Sequence, residues 1–195
     1  MCIRDRVYLP YLGDLPEPRT AIDIGSGRGE WLELLRDAGW KAKGFDTNLV
    51  FATRNQAHGL DVERGDGITL LREVGDGEVS LVTAFHVIEH LTFEDWLVLL
   101  DECRRVLRPG GMLILETPNP ENLTIGALHF YVDPTHRNPI PPALAEFVVG
   151  ARGFADVTVL RLHEAAAPNP DEHIAASLSA LLYGPQDYAI LARKR

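Results

Sequence analysis

Three observations predict an α/β fold with a mostly parallel sheet. From Thr20 onward, short β-rich runs alternate with amphipathic helical stretches. Glycine-rich turns stand where one hands over to the other, and the apolar period switches between the strand and helix values at each hand-over. That rhythm is the one that winds parallel strands and helices into layers.

Taken in order, "TAIDIG" at 20–25 reads as the first strand, and 30–38 as a helix with Trp31, Leu34 and Leu35 on one face and Gly39 as its C-cap. "KAKGFD" at 41–46 is the second strand, 49–57 a helix ending near Gly59, 60–64 a short third strand and "GITLLREV" at 67–74 the next helix. The β-branched run "VSLVTAF" at 79–85 is a buried strand. Thr92 with Asp95 three residues on makes a capping box, and Trp96, Leu99, Leu100, Cys103, Val106 and Leu107 continue at helical spacing until Pro109-Gly110-Gly111. "MLILETP" at 112–118 is the fifth strand. Residues 118–142 carry six prolines and no clear period, which predicts a long functional loop on the acceptor side. A helix at 143–149, a strand at 154–163, a proline-rich link, a helix from about 171 to 182 and a last strand at 187–194 complete the pattern. Trp31 and Trp96, at helical spacings, are expected in the core.

The length suits one domain with a sizeable core, taken as 1–195, with 46% hydrophobic residues. The opening "MCIRDR" has no periodicity, cap or targeting logic, so 1–6 is expected to be disordered or a gene-model artefact. A formal net charge of −9 leaves no basic face for nucleic acid. Two cysteines, Cys2 and Cys103, form neither a disulfide framework nor a metal knuckle, and a cytoplasmic setting fits them. No apolar run approaches the ~20 residues of a membrane span.

The chemistry begins at "AIDIGSGRGEW", where Gly25, Gly27 and Gly29 let a strand-to-helix turn come close to a ligand. The spacing is G-x-G-x-G, and Glu30 stands where a dinucleotide fingerprint has its third glycine, which disfavours NAD. Asp23 and Glu30 repel pyrophosphate and attract a cation, and no P-loop motif is present. S-adenosylmethionine meets these demands, because it is cationic, lacks phosphate and carries a ribose diol. Asp46 ends the second strand 21 positions after Gly25, the place from which an acid reaches ribose hydroxyls. Asp66 in "RGDG" ends the third strand, where it can accept from the adenine amine or cap the following helix.

The stretch "HVIEH" at 86–90 matches H-x-x-E-H, a zinc-ligating pattern when helical. Here a strand ends at Phe85 and a capping box opens the next helix at Thr92, so the segment reads as a loop. No third ligand is evident, and no metal is expected. Glu89 and His90 are expected to organise that loop.

"IDIGSGRGEWLELL", "GFDTN", "GDGITLL", "FHVIEHL" and "LRPGGMLILETPNP" together resemble the successive motifs of class I S-adenosylmethionine-dependent methyltransferases over residues 19 to 195. "LETPNPENL", "FYVDPTHRNPIP" and "LLYGPQDYAI" look more narrowly like methyltransferase domains associated with bacterial O-antigen and cell-surface glycan synthesis. The resemblance implies a Rossmann-like, seven-stranded, mostly parallel sheet with an antiparallel last strand and helices on both faces. It also implies that the glycine turn holds the methionine part, Asp46 the ribose and Asp66 the adenine, with His86 facing the transferred methyl. The cofactor set is then Asp23, Gly25, Ser26, Gly27, Gly29, Asp46, Thr47, Asp66, Gly67, Phe85 and His86.

For the acceptor side, Tyr131, Asp133, His136 and Arg137 cluster in the proline-stiffened loop. A sugar hydroxyl must lose its proton, with His86 the first candidate base and His136 the second. A phosphate acceptor is already anionic and would use Arg137 and His136 as clamps. The favoured substrate class is a cell-surface glycan sugar or its precursor, which would set the protein beside glycosyltransferase machinery. The alternatives are a quinone or secondary-metabolite methyltransferase and a non-catalytic cofactor-binding partner of a glycosyltransferase.

Overall fold

The computed structural model describes residues 4–165 and 176–195. A 3-10 segment, Arg4–Leu12, comes first, and its Tyr8 is wholly buried. Residues 4–6, expected to be disordered, thus begin an ordered segment that Tyr8 anchors. Then follow β1 (Thr20–Ile24), α1 (Glu30–Asp37), β2 (Lys41–Asp46), α2 (Leu49–Ala57), β3 (Asp61–Arg64), α3 (Gly67–Leu71), β4 (Val79–Phe85), α4 (Phe93–Val106), β5 (Leu107–Pro118), α5 (Leu123–Ala127), α6 (Pro142–Ala151), β6 (Phe154–Glu164), α7 (Ala176–Tyr183) and β7 (Pro185–Lys194).

The seven strands form one sheet in the order β3-β2-β1-β4-β5-β7-β6. β1 to β5 pair in parallel, and β7 runs antiparallel between β5 and β6. This is the seven-stranded, Rossmann-like arrangement that the sequence predicts. One face packs Ile22, Ile24, Val82, Ala84, Leu113 and Leu115 against α4 and α6. The other face packs Ala21, Leu81, Ile114 and Leu191 beneath Tyr8, Leu12 and α1. Both layers exclude water, so the residues on both sides of the central strands are mostly apolar.

Several boundaries differ from the sequence expectation, each for a visible reason. α3 stops at Leu71 instead of reaching 74, because the Arg105 guanidinium donates to the carbonyls of Leu71 (2.8 Å) and Val74 (2.7 Å), satisfying acceptors a continuing helix would use. α4 stops at Val106 and passes directly into β5, where Leu107 pairs with Val79 and Met112 with Leu81. The shift in register leaves Arg108 to Gly111 as a bulge, with Gly110 at φ 77. Inside the 118–142 stretch, Asn122 accepts from Thr124 N and Ile125 N and so starts the short helix α5, and His129–Val132 forms a 3-10 turn. The proline-rich link and the first part of the expected 171–182 helix lie in 166–175, outside the described residues.

Candidate functional site

Parallel strands of this topology bring their C-terminal ends to one rim, where a ligand crevice opens. A cavity of about 360 Å³ lies there, lined by Ile24, Gly25, Phe45, Asp46, Thr47, Asp66, Gly67, Ile68, His86, Val87, His90 and Leu91 among others. The glycine turn forms one wall. A Cβ on Gly25 would lie 2.6 Å from Val87 Cγ2, and Gly25 sits at φ 71, so only glycine fits without displacing the wall. Gly27 N donates to Asp46 Oδ2 at 2.7 Å and Asn48 N to Oδ1 at 2.7 Å, so Asp46 ties the turn to the end of β2 while lining the cavity.

Asp66 lines the same cavity and caps α3, its Oδ1 accepting from Thr69 N and Thr69 Oγ1 at 2.9 Å each. Both roles expected for it are geometrically compatible. Asp23 is buried under the turn and accepts from Thr83 Oγ1 at 2.7 Å. Thr83 in turn accepts from Trp31 Nε1 at 3.1 Å.

Three of the expected cofactor residues sit differently. Ser26 is buried with its Oγ lacking a hydrogen-bond partner, and that atom faces Gly44 beneath the turn. Gly29 packs against Asn55 and Leu60 where α1 meets α2. Phe85 stacks on Tyr8 at 5.1 Å and meets Trp31 edge-on at 5.6 Å, which puts it in the layer opposite the cavity. None of the three lines the cavity, and Asp23 and Gly27 stand behind its lining as well, as supports of the turn.

Beside the cavity four adjacent strands deliver a second constellation. His86 follows β4 at φ 54 and keeps 47% of its side chain exposed on the cavity wall. Its Nε2 lies 3.4 Å from Glu116 Oε1 on β5 and 3.9 Å from Asp187 Oδ1 on β7. Its Nδ1 lies 3.2 Å from Glu89 Oε1, an ionic contact without hydrogen-bond geometry. His163, on β6 at φ 58, pairs with Asp187 through Nδ1 at 2.8 Å, and Tyr8 OH donates to Glu116 Oε2. Of the three described non-glycine residues with positive φ, two belong to this cluster, a concentration of backbone strain typical of functional positions.

Burial works against a charge on His86, but Glu116, Glu89 and Asp187 outweigh it and push the imidazole up to about 10. Glu116 is raised by burial and lowered more by its bonds from His86 and Tyr8, so it stays below the ordinary carboxylate range. His86 is therefore the cation of the cluster, not a free neutral base as the sequence suggests, because three carboxylates reach it from elements far apart in the chain. Glu116, Asp187, His163 and Tyr8 escape sequence reasoning for the same reason.

"HVIEH" is not an α-helical turn. After His86 comes one 3-10 turn, Ile88–His90, with Glu89 fully buried and accepting from Thr117 Oγ1 at 2.9 Å. The 118–142 loop docks on it: Arg137 N donates to Glu89 O at 2.8 Å and Arg137 Nε to His90 O at 2.9 Å. His136 stacks at 4.7 Å from the His90 ring and 4.6 Å from Phe130. Tyr131 (63% exposed) and Asp133 face solvent, and Asp133 holds Thr135 in a tight turn. Of the loop residues expected on the acceptor side, the structure brings only His136 and Arg137 against the segment behind β4.

These residues fit an adenosyl sulfonium donor. A buried acid lies under a turn that a side chain would block, a second acid sits on the rim, and an apolar slot ends at a third. A family model described as a methyltransferase domain matches residues 3–159. The crystal structure of an S-adenosylmethionine-dependent methyltransferase from Archaeoglobus fulgidus superposes with a TM-score of 0.83 at 31% identity, over 97% of this chain and 90% of that one. A protein of Mycolicibacterium smegmatis named as a probable S-adenosylmethionine-dependent methyltransferase is 34% identical over 103 residues, 52% of this chain and 38% of that protein. A ubiquinone biosynthesis O-methyltransferase of Methylococcus capsulatus is 31% identical over 106 residues, 52% of this chain and 44% of that protein. The chain thus spans well under two thirds of these two curated relatives. Among the described residues no helix is long and apolar enough to cross a membrane. The chain belongs to the methyltransferase-domain family.

Proposed function

We propose that the protein methylates a hydroxyl of a neutral, polyhydroxylated acceptor, a sugar of a cell-surface glycan or its precursor. One observation carries this reading: His86, on the wall of the cofactor cavity, is backed by three carboxylates, Glu89, Glu116 and Asp187. Carboxylates hydrogen-bond sugar hydroxyls and repel phosphate, so the phosphate acceptor is the weaker choice. The glycan class itself is supported by the sequence resemblance of the 115–123, 130–141 and 181–190 stretches. An association with glycosyltransferase machinery would follow from that class.

When bound, the cofactor supplies an electrophilic methyl group on a sulfonium. Gly25, in the turn that Asp23 and Gly27 support from behind, would hold its amino-acid end, Asp46 with Thr47 the ribose, and Asp66 with Gly67 the adenine edge. The acceptor hydroxyl loses its proton to the carboxylate cluster behind His86, with Asp187 taking it. His86, charged and held on both nitrogens, is the positioning residue that fixes the carboxylates against the cavity. His136, the second candidate base, contacts Phe130 and His90 and has no described contact with His86.

A second reading has its own support in the ubiquinone O-methyltransferase relatives: the acceptor hydroxyl is phenolic. Labelled-methyl transfer to a panel of lipid-linked glycans, free sugars and quinols separates the two. Label on a sugar oxygen that vanishes in Asp187→Asn while cofactor affinity holds supports the proposal. Label on quinols alone, or full turnover in Asp187→Asn, overturns it.

A further inference from the structure

We propose that Glu89, His90 and His136 form a binding site for a divalent transition-metal cation, clamping the acceptor-side loop onto the turn behind β4. One ligand atom of each residue lies within 4.8 Å of the others. Two histidines and a carboxylate are a donor set suited to zinc, cobalt, iron or manganese. Read along the chain, H-x-x-E-H speaks against a metal, because the segment reads as a loop in which His86 and His90 share no helical face, and no third ligand is evident. The structure leaves His86 out and brings the third ligand from 46 residues downstream of His90, counted from the sequence.

Proximity alone would not carry this, but the hydrogen bonds around the two rings assign their free atoms. His136 Nδ1 is 2.7 Å from the Phe130 carbonyl, which can only accept, so Nδ1 carries the proton and Nε2 keeps its lone pair. His90 Nδ1 is 2.9 Å from Thr135 Oγ1. The Thr135 hydroxyl donates its one hydrogen to Asp133 Oδ1 at 2.6 Å, so toward His90 it can only accept. His90 is therefore also protonated on Nδ1 and open on Nε2. A carbonyl behind one histidine and a hydroxyl relayed to a carboxylate behind the other are the supports that orient histidine ligands in metal centres.

Glu89 adds support that does not involve the two rings. It is fully buried, one of its oxygens accepts from Thr117, and the other, Oε1, accepts no hydrogen bond, with His86 Nδ1 3.2 Å away but out of line for one. His86 gives that oxygen an ionic contact but no hydrogen bond, so it keeps acceptor capacity for a further cation. His90 also lines the cofactor cavity, so an ion here would stand at the cavity's edge. The loop would gain a tether beyond the two Arg137 bonds, at the segment that covers the acceptor side.

Metal content can be read whatever the acceptor is. The purified protein is stripped with chelator and titrated with Co2+, following ligand-field absorption and, after desalting, elemental analysis. The expected result is one ion per chain, with affinity reduced at least about tenfold in His136→Ala and in His90→Ala. His58→Ala, at the C-cap of α2, and Glu116→Gln should bind as the parent does. Because His136 is only partly buried, its variant should keep the parent's circular dichroism, and a variant that does not is replaced by His136→Asn. Absence of binding at millimolar Co2+, or full binding in both histidine variants, overturns the proposal. Loss on Glu116→Gln alone also overturns it, since that puts the ion in the His86, Glu116 and Asp187 cluster.

Discussion

The half of this site proposed for the cofactor and the half proposed for the acceptor are built in opposite ways. The cofactor half is local: Gly25, Gly27, Asp46, Asp66 and Gly67 stand in tight turns just past β1, β2 and β3, and backbone amides hold the acids in place. The acceptor half is assembled from Tyr8, His86, Glu116, His163 and Asp187, side chains of five separate segments that meet through hydrogen bonds and ion pairs. A site made from turns tolerates little change in backbone shape. A site made from converging side chains tolerates little change in charge. Cofactor binding and turnover should therefore fail separately.

The largest separation is expected at His86. His86→Gln should lower kcat by about 100-fold to 1,000-fold, because the carboxylate that takes the proton loses its alignment, with the cofactor Kd within about threefold of the parent by calorimetry. A parallel loss of cofactor affinity would erase the distinction between the halves. The reverse pattern is expected at Gly25. Gly25→Ala forces a Cβ into Val87 at a positive φ, and the cofactor Kd should rise on the order of 10- to 100-fold, a strain of about 1–3 kcal/mol. The ion pairs of His86 should persist in that variant.

Charge in the acceptor half should also be visible in stability. His86 titrates at about 10 in the folded protein against 6.5 for an ordinary imidazole, so the folded state holds the proton more tightly. Its stabilisation is complete below about pH 6.5 and is lost as pH rises to about 10. Denaturant melts of metal-free protein across that window should show stability falling with pH, and the His86→Gln variant should lack this component. An unchanged slope in the variant would mean that other groups carry the titration. The smallest effect is expected outside both halves: Thr92→Ala removes the cap that accepts from Asp95 N, costing about 1 kcal/mol and roughly 2–4 °C of Tm without a change in kcat.

Legibility in the sequence follows the same division. The strands, the glycine turn, Asp46 and Asp66 are legible because turn chemistry and apolar period are local signals. Phe85 falls in the layer opposite the one expected, because a strand apolar on both faces gives no sign of which way its last residue points. Glu116 and Asp187 read as ordinary polar residues ending and starting strands. Glu116 meets His86 because β5 pairs with β4, and Asp187 does so because β7 is inserted between β5 and β6. The junction of α4 and β5 lies earlier than the Pro-Gly-Gly signal suggests because a helix and a strand abut there with no loop, and the capped helix α5 is too short to show a period.

The placement of β7 has a consequence for how the molecule is made. It is the last strand in chain order, yet it fills an interior position and contributes Asp187. A nascent chain that has released everything through β6 still has a gap between β5 and β6, and His163 and Glu116 wait there without the carboxylate that joins them. The rim around His86 is thus completed after the pocket around β1 to β3, whose strands all precede β7 in the chain.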